Sequence, residues 1–135
     1  MKRKAILASA IVLVFNSMAF GWGPEGHRII VRIAERYLTP KTKAAVAELL
    51  GNETPCEVAT WADFIRKQPG YEWSGILHTA SVPDDTSTFD MDRDCAKGCN
   101  VAAIIRFTET LEQRTASRKE QTEALKFLLH FVGDL

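Results

Sequence analysis

Charge of one sign is not in excess over the chain as a whole: 17 Lys and Arg stand against 17 Asp and Glu in 135 residues. A broad basic surface of the kind that grips nucleic acid by releasing counterions is therefore excluded. There is no internal repeat, no low-complexity tract and no second-domain boundary, which leaves one core for the 46% of residues that are hydrophobic. Convincing strand alternation is missing too. Histidine and cysteine are scarce, at three each, so a zinc knuckle built on Cys95 and Cys99 lacks the two further thiols or imidazoles it needs close by. In an oxidising compartment the same pair, bracketing Ala-Lys-Gly, suits a local disulfide instead. Cys56 then has no partner: it is a buried free thiol, or its mate lies beyond Leu135.

The first residues set the compartment. Lys2, Arg3 and Lys4 precede a mostly apolar run over 5–20, and Ala19 and Gly21 are small residues at the spacing of a cleavage site, so 1–21 reads as a secretory signal peptide. The apolar run is too short, and too closely followed by polar sequence, for a membrane span. Removing 1–21 leaves 14 basic against 17 acidic residues in a secreted or periplasmic chain of 22–135.

Along that chain, Trp-Gly-Pro-Glu-Gly at 22–26 resists regular structure, and His27 opens a helix whose apolar positions Ile29, Ile30, Ile33, Ala34 and Tyr37 recur at three- and four-residue spacing. Thr39 and Pro40 cap a second helix that Gly51 ends. A third is expected over 57–68, stopped by Pro69 and Gly70. Residues 70–98 read as a long ordered loop, a length usually reserved for function. A fourth helix is expected over 100–114, and Ser117 with Glu120 forms a capping box opening the last. No Gly or Asn cap follows Leu135, so the chain reads as the first part of a longer protein. The fold expected is all-α: a single helical domain, truncated at its C-terminus.

The last helix carries the most suggestive pair. His130 and Asp134 are four apart in an apolar run, so a helix sets imidazole and carboxylate on one face within reach of one ion. Upstream stand His27, Asp63 and His78. Each has a plain structural alternative, as a cap, a surface carboxylate and an interior histidine respectively. Together His and Asp are the ligand set of hydrolytic zinc, which keeps a position open for water.

The order and spacing of these residues resemble a known family. Trp-Gly-x-x-Gly-His at the mature start, Thr60-Trp61-Ala62-Asp63, Leu77-His78, Asp94-Cys95 to Cys99-Asn100, and the run from Leu128 to Asp134 are similar to the zinc-dependent single-strand-specific nucleases, which include fungal single-strand nucleases and plant bifunctional nucleases. The resemblance implies a helical domain with three zinc ions at the bottom of a cleft. Asp63, His78, His130 and Asp134 would hold the first. The α-amine and carbonyl of Trp22, with His27, would hold another, Asp134 bridging the two. The remaining ion would take a Gln-Pro-Leu-His run and a later His and Asp that are not in this chain. Asp63 and Asp134 are thus the catalytic carboxylates, and Arg66 is the candidate phosphate contact.

The activity implied is hydrolysis of single-stranded DNA or RNA to 5′-nucleotides, water attacking phosphorus in line with the 3′ oxygen, and removal of 3′-phosphate from 3′-nucleotides. A monomer that needs no membrane is implied as well. Thr79 follows His78 where several relatives carry an aromatic, which leaves Phe89 and Tyr71 as candidate base contacts. Two other readings remain open: a zinc phospholipase C, in which the first histidine lies much farther from the tryptophan than the five residues here, and a non-catalytic exported helical binding protein.

Overall fold

The computed structural model of the chain describes residues 23–135; the expected signal peptide, 1–21, and Trp22 lie outside the described residues. It is all-helical, and no strand occurs among the described residues. Helix α1 spans Pro24–Tyr37, α2 Pro40–Leu50, α3 Pro55–Val58 and α4 Trp61–Ile65. A 3-10 helix, Glu72–His78, follows, then α5 Met91–Asp94, α6 Asn100–Glu112 and α7 Arg118–Phe131. No helix among the described residues is long and apolar enough to cross a membrane.

The helix ends follow local chemistry. Thr39 accepts from the N–H of Thr42 at the start of α2, and Gly51 closes it at a φ of 65°, where only glycine is unstrained. Reciprocal capping boxes open α3, through Thr54 and Glu57, and α7, through Ser117 and Glu120.

Helix α7 is the central element, packed on α2, α3, α4 and α6. Phe127 and Phe131, one helical turn apart, are buried against Phe107 of α6, with Ala62, Leu77, Ala103 and Ala124 completing that core. Each buried Phe removes enough apolar surface from water to contribute about 1.5–3 kcal/mol. A smaller cluster of Leu50, Val58 and Leu125 joins α2 and α3 to the other side of α7.

Four expectations need correction. Helix α1 begins at Pro24, not His27, because proline at the first turn needs no N–H partner and Glu25 suits the helix start. Its buried face is His27 and Val31, whereas Ile29, Ile33 and Tyr37 are exposed. The helix expected over 57–68 is broken at Ala59 and Thr60 into α3 and α4. The long loop is partly ordered as the 3-10 helix and α5. It is held by Tyr71, whose hydroxyl donates to Glu123 at 2.7 Å, and by Trp73, whose ring packs on Phe127.

Candidate metal centre

The carboxyl end of α7 is where the polar groups gather. Regular helix ends at Phe131, and the chain tightens into i→i+3 bonds, the N–H of Gly133 donating to His130 at 2.8 Å and that of Asp134 to Phe131 at 3.1 Å. This tight turn, not a continued helix, carries Asp134 back beside His130. The Asp134 Oδ2 stands 3.2 Å from His130 Nε2 and 3.1 Å from His78 Nδ1, while its Oδ1 faces His27 Nε2 at 3.5 Å. Asp63, from α4, reaches the same place at 3.8 Å from His78 Nδ1 and 3.9 Å from His130 Nε2.

Each histidine has its own support. The helix break leaves the Ala59 carbonyl 2.8 Å from His130 Nδ1. A carbonyl only accepts, so Nδ1 carries a proton and Nε2 is the nitrogen turned to the cluster: it donates to Asp134 in the metal-free protein, and its lone pair is offered once a cation takes that proton's place. His27 stacks on His130, ring centroids 4.0 Å apart. Its close seat exists because residue 133 is glycine: a Cβ there would lie 2.5 Å from His27 Nδ1. His78 ends the 3-10 helix and packs edge-on against Phe131. Arg66 lies at the rim, its guanidinium 2.9 Å from Asp63 Oδ1.

The electrostatics are those of acceptors crowded together out of water. Burial raises the Asp134 pKa, yet hydrogen bonds from His130 and His78 outweigh it and hold the carboxyl well below the usual carboxylate range. Burial lowers the pKa of His130, but its bonds to Asp134 and to the Ala59 carbonyl prevail and the imidazole ends above its ordinary value. His27 is driven down by burial and then by the positive charge of His130.

A metal fits this donor set. His27, His130 and Asp134 form one group, and Asp63, His78 and His130 another, with ligand atoms within 4.8 Å of one another in each. Four donors around one zinc at 2.0–2.2 Å stand about 3.3–3.6 Å apart, in the middle of the 3.1–3.9 Å separations found here. Converging lone pairs and carboxylates repel unless a proton or a cation lies between them.

The S1/P1 Nuclease family model matches residues 22–135. The chain belongs to the S1/P1 nuclease family. Nuclease P1 of Penicillium citrinum is 32% identical to it over 121 residues, covering 84% of this chain and 45% of that protein. Nuclease S1 of Aspergillus oryzae is 31% identical over 134 residues, 94% of this chain and 46% of the other. Endonuclease 2 of Arabidopsis thaliana is 37% identical over 129 residues, 85% and 43% respectively. This S1/P1-family chain spans about half the length of the curated relatives it matches.

All the described residues singled out as ligands meet in one place. Of the loop aromatics, Tyr71 is committed elsewhere, packed edge-on against Trp61 and bonded to Glu123, so it is not free to stack a base; Phe89 is exposed. Cys95 and Cys99 are paired, and Cys56 is a free thiol whose Sγ lies 3.8 Å from the Arg28 carbonyl. Sequence reasoning gave no role to the Ala59 carbonyl, to Gly133 or to Asn100, whose side chain donates to the Asp134 carbonyl at 3.1 Å.

Proposed function

We propose that this chain supplies the zinc-binding part of a secreted or periplasmic hydrolase that cleaves single-stranded DNA or RNA to 5′-nucleotides and removes 3′-phosphate from 3′-nucleotides. The observation that carries this reading is the division of one carboxylate: Asp134 turns Oδ2 to His78 and His130 and Oδ1 to His27. Asp63, His78, His130 and Asp134 would hold one zinc, and His27 with the amine and carbonyl of Trp22 would hold a second, with Asp134 shared between the two. A third ion takes its ligands outside this chain. When bound, zinc supplies Lewis acidity toward phosphate oxygen and brings the pKa of water toward neutrality.

The protein's own side chains do the rest. The Ala59 carbonyl fixes the His130 tautomer, and Asp63, one-third exposed, marks the open side of the site. Arg66 beside it donates to the substrate phosphate, where a planar guanidinium matches two oxygens. The cations provide the positive field that an acidic chain otherwise lacks. The enzyme works as a monomer, without a membrane.

Elemental analysis of the intact secreted protein, together with mass spectrometry of its products from single-stranded DNA, tests the proposal. More than one zinc and release of 5′-nucleotides are expected. One zinc or none, or release of a phosphorylated head group from phosphatidylcholine in place of nucleotides, overturns it. The amino-terminal ligand is tested by one alanine inserted before Trp22, which moves only the amine. That variant is expected to fold, lose one zinc and hydrolyse DNA far more slowly; full zinc content in it removes Trp22 from the site.

A further inference from the structure

Asn100 is the first residue of α6 and is 2% exposed. The N–H groups of a helix's first turn have no partner within the helix, and that of Asn100 donates to the carbonyl of Thr79, the residue after His78, at 3.3 Å. Its side-chain Nδ2 donates to the backbone carbonyl of Asp134 at 3.1 Å. One residue thus ties the segment leaving His78 to the turn that carries Asp134, and the side chains of those two residues meet at 3.1 Å. Asn100 is itself fixed from behind: Cys99 is disulfide-bonded to Cys95, and its Sγ accepts from the N–H of Ala102 at 3.4 Å.

A purely structural role accounts poorly for an amide at this position. The Asn100 Oδ1 is buried with no hydrogen-bond partner, and leaving such an acceptor unpaired costs about 1–3 kcal/mol. An apolar side chain would fill the space without that cost. What the amide adds is a donor aimed at the one carbonyl whose position sets the backbone of Asp134.

Building on the two-centre reading above, we propose that Asn100 is a positioning residue for the metal centre: its side-chain amide holds the turn bearing Asp134 in register with the segment bearing His78, so that both side chains address one ion. It touches neither ion nor substrate. Groups that orient metal ligands from behind change metal affinity by about 10–100-fold when removed, and a change of that size is expected here.

The test uses the intact protein and two variants, Asn100→Ala and Asn100→Asp, the second of which keeps the shape but has no N–H to donate at neutral pH. Circular dichroism reports the fold, chelator competition the zinc affinity, and steady-state hydrolysis of single-stranded DNA the kcat and KM. Both variants are expected to fold, to bind zinc about 10–100-fold more weakly, and to lose kcat at limiting zinc with KM little changed. A merely structural residue would lower the melting temperature and leave the zinc affinity of the folded protein alone. Folded variants with wild-type zinc affinity overturn the proposal while the two-centre reading stands. Failure of both variants to fold assigns Asn100 to stability and overturns it equally. Wild-type protein that binds no zinc overturns the two-centre reading, and this proposal with it.

Discussion

Gly133→Ala probes the site through a single methyl group. Gly133 does not have a positive φ, so the backbone itself would accept alanine. The obstacle is steric, since the new Cβ would lie 2.5 Å from His27 Nδ1 where ordinary contact begins at 3.4 Å, and 3.0 Å from the His130 carbonyl. The His27 ring must retreat by nearly an ångström, yet it is 1% exposed and stacked on His130. Overpacking of this kind costs about 1–3 kcal/mol, and a ligand displaced by about 1 Å costs a reaction about 100-fold. Urea denaturation of the metal-free protein reads the first effect; zinc stoichiometry and single-strand hydrolysis read the second. Repeating the substitution in a His27→Ala background removes the clash, so its cost there should fall by at least about 1 kcal/mol, a coupling measurable by double-mutant cycle. If Gly133→Ala stays within about 0.5 kcal/mol of wild type, the span of an ordinary surface substitution, and keeps its zinc, the account of the His27 seat is wrong.

Asp134→Asn should loosen two ions at once, because one carboxylate faces both histidine groups; loss of a single zinc with activity within a few-fold of wild type would show that it does not bridge. In the metal-free protein the lowered pKa of Asp134 sets a pH window: its contribution is fully present above the unfolded carboxylate value of about 3.9 and is lost as pH falls through the lowered folded value. The stability gap between wild type and Asp134→Asn should therefore persist down to about pH 5 and narrow only at lower pH, and a gap already closed at that point refutes the assignment. Lys126, 9% exposed, pairs with Glu53 and lies over the Trp61 ring. Glu53→Gln should cost about 1–2 kcal/mol, less than a fully buried pair because Glu53 is half exposed; Lys126→Met in the same background should recover it, and no recovery would place the loss elsewhere.

The parts of the site readable from sequence are those with a local period or a distinctive residue type. His130 and Asp134 were legible as a pair because four residues bring side chains together, although a tight turn rather than a helix completes the approach. The capping box at Ser117 and the cap at Thr39 were legible because their hydrogen bonds run within one turn. The outward face of α1 was misread: Ile29, Ile33 and Tyr37 make a convincing apolar stripe, and only tertiary packing reveals that His27 and Val31 are the buried side. The Ala59 carbonyl was invisible for a different reason. Every residue has a carbonyl, and a break in a helix chooses which one is offered to His130. Gly133 was hidden as a lone glycine in an apolar run, and the role of Asn100 depends on contacts 21 and 34 residues away along the chain.

The candidate ligand side chains come from α1, α4, the end of the 3-10 helix, α7 itself and the turn after it, so they converge only when nearly the whole described chain has closed around α7. An unfolded chain offers a cation scattered imidazoles and carboxylates and no site. An ion that binds only the closed site adds its binding free energy directly to the stability of the folded state. For first-row metals, affinity alone favours copper over zinc at nitrogen and oxygen donors. The ion in the finished protein is therefore decided by the geometry around Asp134 together with which metals surround the chain in the compartment where it folds.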